Sequence, residues 1–205
     1  TPDQASLEQE LALAVAVAAD AGRLLAGIRA EAGDIAPDDK AALKGLRNDA
    51  DARSQELIAA RLTVAAGDAM LSEEAVDDEV RLGAKRVWIV DPLDGTFEYG
   101  QGRHDWAVHI ALYDTATNAM PIGVVDLPAQ GLVRTSADLD PELPALPDDR
   151  PLRIVASRNR PPADLDGIVA RLAQRLGREV EVVNVGSVGA KVNEILSGRA
   201  EAYLH

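Results

Sequence analysis

Apolar residues recur first at helical spacing. Leu7, Leu11, Ala14, Val15, Ala18, Leu25 and Ile28 share one face of a predicted helix, which starts at a capping box of Ser6 and Gln9 and ends near residue 31. A second helix is predicted from Asn48 or Asp49, with Leu57, Ile58 and Leu62 turned inward. Beyond residue 67 the period shortens. GDAML leads into a short strand ending at Ser-Glu-Glu, and RVWIV (86–90) has the composition of a buried strand. DWAVHIALYD (105–114) alternates Trp106, Val108, Ile110 and Leu112 on one face. TATN then predicts a turn into PIGVVDL, and GLVRTS a further strand. Several strands after two helices imply an α+β layer arrangement.

The segment ADLDPELPALPDDRP (137–151) has no period and is rich in proline and acid, as an exposed linker would be. It divides a predicted N-terminal domain, residues 1–140, from a second at 151–205. LRIVAS, PPADLDGIVARLAQRLG, EVEVVNV and SVGAKVNEILSG then alternate between strand and helix, and AEAYLH begins one more strand. That alternation is an α/β pattern. Ending on a strand, the α/β unit is expected to be incomplete as given.

Composition narrows the possible partners. Aromatic residues are 3% of a chain that is 47% hydrophobic, so the core must be aliphatic. Acids outnumber bases 34 to 21, a formal charge of −13, which leaves no basic stripe for polymeric nucleic acid. A small anionic substrate remains compatible if metal ions mask the local field. The absence of cysteine excludes disulfides, thiolate nucleophiles and cysteine-bound metal. LALAVAVAA (11–19) is shorter than the roughly 20 residues of a membrane span, and no basic segment precedes it. A soluble, cytoplasmic protein with no membrane partner is expected.

The densest chemistry lies in WIVDPLDGTFEY (88–99). Asp91 follows a buried strand, and a turn at Pro92 can bring Asp91, Asp94 and a backbone carbonyl into one small volume. Gly95 and Thr96 then open a helical turn whose amides favour an anion such as phosphate. Clustered carboxylates repel one another, and a divalent cation with hard oxygen ligands, Mg²⁺ above all, reverses that. Glu73 and Glu74 stand at another strand end. On the residues alone, Asp-Pro and Asp-Gly are also ordinary turn signals and SEEAVDD an ordinary solvated loop. Both readings stand at this point.

SEE followed by WIVDPLDGT resembles the signature of the Mg²⁺-dependent inositol monophosphatase superfamily, and NVGSVGAKVNEILSGRAEAYLH resembles its downstream segment. The resemblance implies a layered sugar-phosphatase fold and two or three Mg²⁺ ions, with inhibition by Li⁺. It assigns metal binding to Glu73, Asp91, Asp94 and the Leu93 carbonyl, with Glu74 holding a water nearby. Asp51, with Asp49 as runner-up, matches the family's aspartate at the start of the second helix, paired with Thr96. The implied reaction is in-line attack of water on a phosphate monoester. Thr96 and Asp51 orient and deprotonate the water, and the Gly95 and Thr96 amides bind phosphoryl oxygens.

Within the superfamily, Phe97-Glu98-Tyr99 and HDWAVHIAL are similar to the CysQ-type 3'(2'),5'-bisphosphate nucleotidases of actinobacteria. That branch implies hydrolysis of the 3'-phosphate of 3'-phosphoadenosine 5'-phosphate or its sulfated relative. Lys191 is then a substrate-phosphate contact and Arg158 a further anion contact, each also readable as structural. Ser187 either contacts nucleotide or, as the stronger reading, caps the following helix. An inositol-1-monophosphatase or sugar bisphosphatase is the alternative within the same chemistry, and a homodimer is compatible with it. His109 is expected on the outward face of its strand and His104 in a loop. The family's W-D-x-A-A/G motif, whose aspartate binds the second metal, is not reached by His205 and is expected in a further C-terminal segment. If the chain truly stops there, a catalytically impaired nucleotide- or metal-binding protein is the alternative.

Overall fold

The computed structural model describes residues 4–62, 67–76, 79–138 and 145–205. The chain divides into two compact units, Thr1–Leu139 and Asp140–His205. The N-terminal unit carries helices α1 (Gln4–Ala32) and α2 (Lys40–Arg61), strands β1 (Asp68–Ser72) and β2 (Arg86–Asp94), and the short helix α3 (Thr96–Gly100). Strands β3 (Ala107–Asp114), β4 (Ala119–Leu127) and β5 (Leu132–Thr135) follow. The sheet runs in the order β1-β2-β3-β4-β5, with β1 parallel to β2 and every later pair antiparallel.

One sheet face holds the core. Trp88 and Val90 of β2, Val108, Ile110 and Leu112 of β3, and Ile122 and Val124 of β4 pack against Ala14, Val17, Ala18, Ala21 and Leu25 of α1 and Leu46, Ala50 and Ile58 of α2. The alternation along DWAVHIALYD is thus the alternation between core and opposite face. Alanines on α1 let the helix lie close to the strands. Gly22 makes the closest approach, since a Cβ there would meet the Asp126 carboxylate and the Pro128 ring. Arg86 clamps the far end of the sheet, its guanidinium lying 2.7 Å from Asp68 Oδ2 and 2.8 Å from Glu10 Oε1.

Four expectations need correction. Helix α1 is already running at Gln4, so Ser6 lies inside it rather than at its start. At 29 residues α1 is also long and apolar enough, by length and composition, to cross a membrane, which the nine-residue reading missed. Here its apolar face belongs to the core. Helix α2 starts at Lys40, capped by Asp39, whose side chain accepts from the Ala42 N–H at 2.9 Å. Its buried stripe continues through Ala50 and Ser54, too small to register as an apolar period. Finally, Pro92 does not end the strand: β2 continues to Asp94, and the chain turns at Gly95, at φ 86°.

In the C-terminal unit, β6 (Leu152–Ser157), α4 (Leu165–Leu176), β7 (Val180–Val185), α5 (Val188–Leu196) and β8 (Ala202–Leu204) alternate as the sequence predicts. All pairs are parallel, in the order β7-β6-β8.

Candidate active site

The register of β2 explains how two aspartates three residues apart come to share one face of the sheet. Side chains three apart on a regular strand point to opposite faces. Here Asp91 pairs with His109 and Asp94 with Ala107, so three steps on β2 span two steps on β3. The extra residue is a β-bulge. It returns Asp94 to the face that carries Asp91 and His109, while Leu93 remains buried in the core. Within the bulge the Leu93 N–H donates to Asp91 Oδ1 at 3.1 Å.

Helix α2 fastens this irregular strand. Ser54 Oγ, fully buried, donates to the Pro92 carbonyl at 2.9 Å. One residue on, Gln55 Oε1 accepts from Ser72 Oγ at 2.5 Å, tying α2 to the end of β1 just before Glu73 and Glu74. The Glu73 N–H in turn donates to the Val90 carbonyl at 3.2 Å, so the paired glutamates leave the end of β1 beside Val90 and Asp91 of β2. Both glutamates are exposed. Asp51 lies inside α2 rather than at its start, one helical turn before Gln55. The expected Asp51–Thr96 pair does not form. Thr96 Oγ1 instead donates to the Leu93 carbonyl at 3.0 Å, because the turn at Gly95 folds the threonine back over the bulge.

Electrostatics mark these groups as a set. Burial, then the charges of Glu74 and Glu73, raise the Asp51 pKa to about 7, against the pull of Arg47. Asp91 is also pushed up, by burial first and then by Glu73 and Asp94, with His109 and the Leu93 N–H opposing. Asp94 Oδ2 lies 2.9 Å from His109 Nε2. Such crowding of hard oxygen donors is relieved by a divalent cation, and the donor chemistry fits Mg²⁺. Among the described residues no three His, Asp or Glu side chains converge on one point. A cation here would draw on a carbonyl and water as well as on paired carboxylates. Gly95 caps α3, and Glu98 is buried within it.

The C-terminal candidates are built differently. Ser187 Oγ accepts from the Ala190 N–H at 3.0 Å and caps α5. Lys191, 3% exposed, holds its ammonium 5.1 Å from the centroid of the Tyr203 ring, a cation–π distance. Arg158 donates from Nη2 to the Asn184 carbonyl at 2.9 Å. A groove of about 700 Å³ in this unit is lined by Ile154, Ile168, Leu172 and Leu204, with Arg171 and Arg175 beside them. None of the sequence-predicted residues lines it.

Sequence reasoning missed Ser54, Gln55 and Ser72, since each is an ordinary polar residue until the helix is set against the strands. His109 stood on the expected face, but its importance depends on the bulge that brings Asp94 to it.

Known proteins share this arrangement of elements and motifs. The profile of the inositol monophosphatase family matches residues 6–205. A 3'-phosphoadenosine 5'-phosphate phosphatase of Mycobacterium bovis is 43% identical over 194 residues, 91% of this chain and 67% of that protein. The Mycobacterium leprae protein of the same name is 41% identical over 211 residues, covering 96% of this chain and 72% of its own. Among solved structures, CysQ from Bacteroides thetaiotaomicron superposes with a TM-score of 0.71 at 25% identity, over 95% of this chain and 79% of that one. With its profile match, its relatives and its layered fold in agreement, the chain belongs to the inositol monophosphatase family.

Proposed function

We propose that the protein is a Mg²⁺-dependent phosphoric monoester hydrolase that removes the 3'-phosphate of 3'-phosphoadenosine 5'-phosphate. The single observation that carries the chemistry is the β2 bulge, which sets Asp91 and Asp94 on one face beside Glu73. The substrate reading is supported by the mycobacterial relatives named for that activity and by Glu98 in Phe97-Glu98-Tyr99.

Glu73, Asp91, Asp94 and the Leu93 carbonyl would hold the metal, the three carboxylates closing on one point only once the ion binds, with Glu74 beside them. Bound Mg²⁺ supplies Lewis-acid stabilisation of the charge that develops on phosphoryl and leaving oxygens. Asp51, whose pKa is raised by burial before any neighbouring charge, accepts the proton of the attacking water. Thr96, anchored on Leu93, orients that water. The Gly95–Thr96 turn offers its amides to the phosphoryl oxygens, and Lys191 and Arg158 are anion contacts of the C-terminal unit. Water adds to phosphorus, the P–O3' bond breaks, the O3' oxygen takes up a proton from solvent while Asp51 returns its own to solvent, and adenosine 5'-phosphate and inorganic phosphate leave.

Phosphate release measured in parallel on 3'-phosphoadenosine 5'-phosphate, inositol 1-phosphate and a sugar bisphosphate tests the substrate. A kcat/KM at least about tenfold higher for the nucleotide is expected; preference for inositol phosphate would overturn the assignment. Asp94→Asn and Glu73→Gln should each lower turnover by about 100-fold or more with the far-ultraviolet circular dichroism unchanged. Near-normal activity in either variant removes that residue from the metal site.

A further inference from the structure

We propose that His109 is a positioning residue for Asp94, fixing its carboxylate in the orientation that serves a divalent cation; this rests on the metal reading above. The register places His109 directly across from Asp91 on β3, and the bulge swings Asp94 back onto the same face. The imidazole therefore shares one face with two carboxylates that a regular strand would have held on opposite faces. Its Nε2 lies 2.9 Å from Asp94 Oδ2, with the two side chains 27% and 15% exposed.

The chemistry of the contact assigns the proton. An ionised carboxylate only accepts hydrogen bonds, so Nε2 carries the hydrogen and donates it. That nitrogen is consequently not a metal donor, and Mg²⁺ in any case prefers oxygen ligands. The hydrogen bond binds Oδ2 and fixes the plane of the carboxylate, which directs Oδ1. The strand backbone holds His109 in turn, since β3 is paired on both sides, with β2 and with β4 at Val125. A ligand set in this way loses less rotamer freedom when the cation arrives, and hydrogen-bonding partners of metal ligands typically contribute 10–100-fold to affinity.

The test compares His109→Ala, His109→Gln and His109→Asn with wild type and with Asp94→Asn. Glutamine carries an N–H donor at the reach of imidazole Nε2, whereas asparagine is too short. The readout is the Kd for Mn²⁺, measured from the electron paramagnetic resonance signal of the free ion, alongside the Mg²⁺ dependence of kcat and KM. His109→Ala and His109→Asn should bind Mn²⁺ about tenfold more weakly, with His109→Gln within about threefold of wild type. The Mg²⁺ concentration for half-maximal activity should shift in parallel, with substrate KM at saturating Mg²⁺ unchanged. In an Asp94→Asn background, His109→Ala should cause no further loss. Wild-type Mn²⁺ affinity in His109→Asn, or equal weakening in the glutamine and asparagine variants, overturns the positioning role. If His109→Ala does not fold, the glutamine–asparagine pair still decides. Unchanged Mn²⁺ binding in Asp94→Asn would instead refute the metal reading, and the positioning role with it.

Discussion

Asp91 illustrates a side chain whose charge is costly to the fold. Burial and the neighbouring charges of Glu73 and Asp94 raise its pKa, so the ionised form is held at the expense of stability. Asp91→Asn should therefore melt at an equal or higher temperature than wild type in EDTA. Millimolar Mg²⁺ should raise the melting temperature of wild type but not of the variant, because only the folded site binds the ion. Asp126 shows the same conflict away from the site. It is 5% exposed, and burial raises its pKa from 3.8 to about 6, against Arg23 and the Leu127 N–H. A folded pKa above the unfolded value means that its stabilising contribution is full below pH 3.8 and is lost as pH rises through about 6. Asp126→Asn should thus raise the urea midpoint at pH 7 and leave it near wild type at pH 4, flattening the profile between them.

Between elements, the site depends on close contacts that have weak signatures in the sequence. The strands of the N-terminal sheet were legible because DWAVHIALYD alternates cleanly and VWIV (87–90) is continuously apolar. The start of α2 was not, since its buried positions include Ala50 and Ser54, and Asp39 reads as one acid among many. The proposed metal motif was legible through its resemblance. The bulge that sets Asp91 and Asp94 on one face was not, because Asp-Pro-Leu-Asp equally spells a turn, and only pairing with β3 distinguishes the two. Gly22 belongs to this class of hidden contacts. Alanine favours a helix interior over glycine by about 1 kcal/mol, so propensity alone predicts that Gly22→Ala stabilises. The added methyl would sit within 2.5 Å of Pro128 Cγ and against the Asp126 carboxylate, so α1 must lift from β4. Overpacking of this kind costs about 1–3 kcal/mol. A lowered urea midpoint for Gly22→Ala is the expected outcome; an unchanged or raised one would mean that the helix shifts freely.

For the whole molecule, the net charge of −13 opposes the anionic substrate that the proposed chemistry requires. Bound cations neutralise the field at the carboxylates, but the remaining acids still repel a bisphosphate at longer range. Added salt shortens the reach of that repulsion, with a Debye length of about 8 Å at physiological ionic strength. An enzyme that attracts its substrate electrostatically loses kcat/KM as salt rises; this one should gain. With Mg²⁺ held saturating, kcat/KM for 3'-phosphoadenosine 5'-phosphate should increase as KCl rises from about 20 to about 150 mM, through KM rather than kcat. The effect must scale with substrate charge. A monophosphate should therefore show a smaller gain than the bisphosphate. A fall with salt for both would mean that a local cluster of cations, and not the overall charge, governs encounter.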